Sequence, residues 1–208
     1  MHRCGRIFYK FMEASYFTPC HEDVKKVLHI FKWPDHFGIL ENTMNRLGYD
    51  THNITFGCQT RPLTYIQEFE CIIANKPGIQ ALAIQNHCLF NNSGYIELCA
   101  NDDMWVIWQA GLNILLKFKE VMLNLESSSK PLSHYMWDLA KLSDIDRSLF
   151  DEIDENLHDD FFEIFEEYFE KIEEHDEAAL IAWFLHPVQR RLINRPGLDR
   201  KAFDVLIE

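Results

Sequence analysis

The chain has 208 residues, of which 47% are apolar and 25% charged, with 33 acids against 20 bases. That much apolar surface excludes disorder as the main state, and 8 Gly with 7 Pro exclude collagen-like or low-complexity architectures. No apolar run reaches the roughly 18 to 20 residues that a bilayer span needs, and Lys10 and Glu13 interrupt the opening segment where a signal peptide would carry its apolar core.

In chain order, residues 6–11 (RIFYKF) are β-branched and aromatic and predict a short strand. Thr18-Pro19 reads as an N-cap followed by proline, opening a helix whose Val24, Val27, Leu28 and Phe31 form one stripe and which stops before Pro34. Asp35 predicts a cap for the next helix, with Leu40, Met44 and Leu47 inward and Gly48 just past its end. Residues 53–56 predict another strand. Pro62 opens a helix through Ala74 that aligns Ile66, Phe69 and Ile73, and Pro77-Gly78 closes it. Residues 79–90 and 95–100 flank Asn-Asn-Ser-Gly and predict a hairpin. Asn101-Asp102-Asp103 caps a long helix, 104–125, apolar around most of its circumference and therefore central. Residues 127–131 (SSSKP) read as a linker, and beyond them everything predicts helix: 133–142, 143–157, 159–174, 177–194 and a last turn or two after Asp199, with Pro187 kinking the fourth.

The expected fold is thus α+β and predominantly helical. A small sheet with helices occupies an α/β part, 1–126, and an all-helical acidic part, 131–208, packs with it as one unit.

Charge is concentrated. Between Ser143 and Glu177 sixteen acids face only Arg147 and Lys171, so this stretch carries −14 of a net −13, and the rest is close to neutral. Ile145, Leu149, Ile153 and Leu157 recur every four positions, and Phe161, Phe162, Phe165, Tyr168, Phe169 and Ile172 keep helical spacing. Carboxylates then fill the opposite face, where neighbours at i, i+3 and i+4 repel by a few tenths of a kcal/mol per pair. Such a face either serves solubility or docks a basic partner; it repels nucleic acid and anionic membrane. The candidate partner-binding residues are Asp151, Glu152, Asp154, Glu155, Asp159, Asp160, Glu163, Glu166, Glu167 and Glu170. The basic C-terminal residues Arg190, Arg191, Arg195, Arg200 and Lys201 are expected to pair with the acidic helices.

No catalytic residue and no metal site or cofactor is assigned. His158-Asp159-Asp160, His175-Asp176 and the Glu155…His158 spacing are fragments of metal-site patterns lacking their second halves. None of the six cysteines forms a C-x-x-C pair, and Cys71, Cys88 and Cys99 sit among apolar neighbours as small hydrophobes. Without an export signal the expected compartment is the cytoplasm, with reduced thiols. Nucleotide-binding glycine loops and the serine-hydrolase elbow are absent from the sequence.

Residues 24–56, with the turn Trp33-Pro34-Asp35-His36-Phe37-Gly38 and Met44 at an apolar helix position, resemble part of the barstar-like nuclease inhibitors. In that family acids on the second helix enter a ribonuclease active site; here Asn42 occupies the inhibitory aspartate position, leaving Asp35 or Glu41 for the role. The resemblance implies a non-enzymatic inhibitor of a basic partner, a toxin nuclease or a nucleic-acid-binding defence complex. Two alternatives stand beside it: a small-molecule sensor or enzyme with a pocket near Trp105 and Trp108, and a structural scaffold subunit.

Overall fold

The structure, a computed structural model, describes residues 2–58, 61–85, 88–90, 93–126, 133–186 and 197–207. It is 79% helical, with no strand or sheet among the described residues, so the α+β expectation is overturned. Twelve α-helices appear there: α1 (His2–Met12), α2 (Thr18–Ile30), α3 (Pro34–Leu47), α4 (Pro62–Ala74), α5 (Lys76–Ile84), α6 (Ser93–Ala100), α7 (Asp102–Glu126), α8 (Ser133–Ala140), α9 (Arg147–Asp151), α10 (Leu157–His175), α11 (Glu177–Leu185) and α12 (Leu198–Ile207). A 3-10 turn, Lys141–Asp144, follows α8.

The predicted strand at 6–11 is the interior of α1, because Ile7, Phe8 and Phe11 share one helical face and all three are buried. The predicted hairpin is replaced by α5 and α6; its turn residues Asn91 and Asn92 lie outside the described residues. Residues 53–56 belong to an extended segment, 50–57, that makes no backbone–backbone hydrogen bond among the described residues. Its strand propensity finds no neighbouring strand.

The helix boundaries follow from local chemistry. Thr18 does not cap α2: its Oγ1 donates back to the Ala14 carbonyl at 3.0 Å, while Phe17 holds the cap position and Pro19 sits in the first turn. Asp35 lies in the first turn of α3 but makes no capping bond; Trp33, extended, precedes Pro34 there. Gly48 ends α3 with φ of +82°, a left-handed conformation that side chains with a Cβ resist, and Tyr49 N–H then reaches back to the Met44 carbonyl at 3.0 Å. Leu47, predicted inward, is exposed. Pro77-Gly78 does not terminate α4 but starts α5, since proline at the second helical position surrenders an N–H that has no partner in any case.

α7 is the central element, packing against α1, α2, α4, α6, α8 and α9. Asn101 caps it, accepting from Asp103 N–H at 2.9 Å. Aromatic rings join early and late parts of the chain across it. Phe118 of α7 lies 5.5 Å from Phe11 and 6.0 Å from Phe161 of α10, and Phe11 meets Phe161 edge-on at 5.7 Å. α8 packs on α11, and α11 on α12. The predicted helix 143–157 is broken into α9 and a turn, and 177–194 gives α11 up to Leu185, its remainder lying outside the described residues. The linker at 127–131 is also outside them. No helix among the described residues is long and apolar enough to cross a membrane.

Candidate functional site

The acidic surface is built by α9, the following turn and α10. Asp146 starts α9 by accepting the Ser148 N–H at 3.0 Å, and this bond, joined by a side-chain bond from Ser148, holds the Asp146 carboxyl below its ordinary range. After Asp151 the chain turns: Ile153 and Asp154 N–H groups both return to the Phe150 carbonyl at 2.9 Å, and Asp154 Oδ1 accepts the Asn156 N–H at 2.9 Å. Asp151, Glu152 and Glu155 are exposed on this turn and Asp154 is half-buried.

α10 buries Leu157, Phe161, Phe165 and Phe169 along one stripe, which fixes the orientation of everything else on it. Phe161 stacks on Phe150 at 5.1 Å and on Phe165 at 6.2 Å, so the aromatic floor beneath the acids is continuous with the core. Asp159, Glu163, Glu166 and Glu170, spaced four, three and four residues apart, form a line on the far side. Asp160 and Glu167 stand on a different flank, toward α1 and the turn after it. There Ser15 Oγ donates to Asp160 at 3.5 Å. Glu167 is bonded by Lys171, and the Lys10 ammonium adds to the field that holds the Glu167 carboxyl below its ordinary range.

The compensation is therefore uneven. Arg147 reaches Asp151 at 3.7 Å and Asp159 at 3.9 Å, but more than half of its side chain is exposed, so water screens both contacts. His158 Nδ1 lies 3.2 Å from Asp159 while its ring packs against Phe150 and Phe162. Eight of the twelve candidate acids thus stand on the turn or the outward line of α10, with Asp160 and Glu167 on the flank toward α1. Asp35 and Glu41 are exposed on α3, whose main packing partner is α5, and the fold does not bring them into the acidic surface.

Lys10 and Ser15 are the residues that sequence reasoning missed. Ser15 lies 145 positions from Asp160, Lys10 is as remote in sequence from Glu167, and no local spacing signals either approach. The predicted neutralisation by terminal arginines falls mostly outside the described residues; Arg200, which is described, is exposed, and no ion pair among the described residues joins it to the acidic stretch.

Trp105 and Trp108, the alternative pocket, are core residues. Their rings meet edge-to-face at 4.7 Å, Trp105 Nε1 donates to the Cys99 carbonyl at 2.8 Å, and the buried Trp108 Nε1 has no hydrogen-bond partner among the described residues. The predicted strand lining that pocket, 95–100, is α6. No group of three or more His, Cys, Asp or Glu side chains able to hold a metal occurs among the described residues. Cys20, Cys71 and Cys99 are buried, whereas Cys58 and Cys88 are exposed, Cys88 against expectation. No family model, curated protein or solved structure matches the chain.

Proposed function

We propose that this protein acts by binding rather than by catalysis, and that the face made by the turn at 151–155 and the outward line of α10 docks a cationic protein partner. The observation that carries the reading is the line Asp159, Glu163, Glu166 and Glu170, set on a helix whose opposite side is locked into the aromatic core. A rigid backing matters because exposed carboxylates contribute little when the surface beneath them must first be ordered. Long-range attraction accelerates encounter, and Arg or Lys side chains of the partner then take carboxylates in charge-assisted bonds. The half-buried Phe162 and Tyr168 beside the acids supply apolar contact. A toxin nuclease or a nucleic-acid-binding protein has the required positive surface, and carboxylates would stand where phosphates otherwise bind.

The test is affinity capture from the native host with the wild-type chain and with a triple reversal, Asp159→Lys, Glu163→Lys and Glu170→Lys. The wild type is expected to retain a partner of high isoelectric point whose association slows as salt is raised. The reversed variant, folded by circular dichroism, is expected to lose it. Equal capture by both proteins, or association indifferent to salt, refutes the reading.

A further inference from the structure

The extended segment 50–58 is held in a way that differs from the rest of the fold. Besides the Arg61 N–H on the Cys58 carbonyl, its ties run to one row of side chains, Thr64, Glu68 and Cys71 of α4 and Asn75 just past its end, spaced four, three and four residues apart. Thr64 Oγ1 accepts the Cys58 N–H at 2.7 Å, and Glu68 Oε1 accepts the Gly57 N–H at 2.6 Å. Burial raises the Cys71 thiol, and the Thr55 N–H acts on it in the opposite sense. Asn75 closes the row from both sides, accepting the His52 N–H at 3.0 Å and donating to the His52 carbonyl at 2.8 Å. The two tracks run in opposite directions and match in length: eleven helical steps cover about 16 Å, and six extended steps cover about 20 Å.

The row itself does not depend on the segment. Glu68 is 1% exposed and keeps His21 at 2.7 Å through its other oxygen. Asn75 also donates to the Cys71 carbonyl at 2.9 Å. The segment, by contrast, contributes no fully buried side chain: Ile54 and Phe56 are half-buried, and His52 and Asn53 are exposed. It passes α4 closely only because residue 57 is glycine, since a Cβ there would stand 2.7 Å from the Tyr65 ring and 3.0 Å from Glu68 Oε2.

We infer that residues 50–58 form a latch that opens as one unit, ahead of the rest of the fold, and uncovers on α4 a polar row shaped to hold extended backbone. Opening breaks side-chain-to-backbone bonds that water replaces, while the buried carboxylate and amide keep one partner each and the core stays closed. Local openings of this kind occur where buried apolar contact is scarce and main-chain groups lie near solvent.

Hydrogen exchange on the full chain, resolved to single amides, tests this. The amides of His52, Thr55, Gly57 and Cys58 are expected to share one protection level, at least about tenfold above the unfolded chain and at least about tenfold below the α7 core. Thr64→Val, which removes the clamp at Cys58 together with the hydroxyl's own bond to the Arg61 carbonyl, is expected to raise exchange at all four by a common factor, leaving α7 unchanged. Gly57→Ala is expected to do the same through the clash with Tyr65. Protection equal to that of α7, no protection, or a response to Thr64→Val confined to Cys58 overturns the inference.

Discussion

Replacing Phe161 by alanine tests whether the acidic helix is fastened to the core in the manner described. The ring is 1% exposed and touches rings on α1, α7, α9 and along α10 itself. Losing the transfer of a buried phenyl group costs about 2.5 kcal/mol. If the site closes only partly and leaves about 80 Å³ empty, the cavity adds about 2 kcal/mol at 24 cal/mol per Å³. The total, about 4.5 kcal/mol, is a large share of the roughly 5 to 15 kcal/mol that holds a typical domain folded. Urea unfolding followed by tryptophan fluorescence and far-ultraviolet circular dichroism measures it; with a slope of about 2 kcal/mol/M the midpoint falls by about 2 M. α10 carries mutually repelling carboxylates, so the two probes are expected to separate in the variant, helix signal being lost before the α7 indoles respond. Raising salt from 0.1 M to 1 M, which shortens the screening length from about 10 Å to about 3 Å, is expected to narrow that separation. A loss under about 1.5 kcal/mol, or coincident transitions at low salt, refutes the packing argument.

Four further outcomes are expected. Gly38→Ala, whose new methyl meets nothing within 4 Å inside α3, is expected to stabilise by about 0.5 to 1 kcal/mol in thermal melts. Gly78→Ala, whose methyl would stand 2.7 Å from Met44 Sδ and 2.8 Å from Leu40, is expected to destabilise by about 1 to 3 kcal/mol; equal effects would disprove the close α3–α5 contact. Burial pushes the Cys20 and Cys99 thiols up to about 12, and the Cys71 thiol up to about 11, so alkylation of the native protein at pH 8 followed by mass mapping is expected to label Cys58 and Cys88 and spare these three. The bond to Lys171 holds the Glu167 carboxyl below its ordinary 4.5, so the stability it contributes is present above that pH and lost as pH falls through the lower folded value. The same bond raises Lys171 above 10.5, so its share is complete below that pH and lost as pH rises through the higher folded value. Carboxyl NMR titration of Lys171→Met is expected to return Glu167 upward; an unmoved midpoint would disprove the coupling.

The long elements were legible because their apolar residues keep a 3.6 period over several turns, as in α2, α4, α7 and α10. The misread elements are short. In α1 the β-branched and aromatic character of residues 6–11 outweighed the i, i+1, i+4 spacing of Ile7, Phe8 and Phe11, a helical pattern that six residues show only once. α5 and α6 are short apolar runs, for which period alone does not separate strand from helix. The regular fours of Ile145, Leu149, Ile153 and Leu157 suggested one helix, yet a period of four drifts by about 40° per step against 3.6. The chain breaks there, where Asp146 and Asp154 bond their own backbone neighbours. For the candidate site, composition located the acids and periodicity placed them opposite the aromatic stripe. Arg147 answers Asp151 at a local i, i+4 spacing, whereas the approach of Lys10 and Ser15 depends on tertiary packing, which no local pattern carries.

Among the described residues every peptide-to-peptide bond outside the helices spans at most five positions. The rods can therefore be made before the molecule has any topology, and their arrangement is sorted by side-chain shape alone, a recipe for rapid assembly. Side chains reach the main chain over longer spans: Met44 Sδ accepts the Gly78 N–H thirty-four positions away, and Asn75 clasps the main chain of His52 twenty-three positions away. The Asn75 clasp has to wait until the segment 50–58 lies back along α4, which makes it a late event on the way in and an early one on the way out.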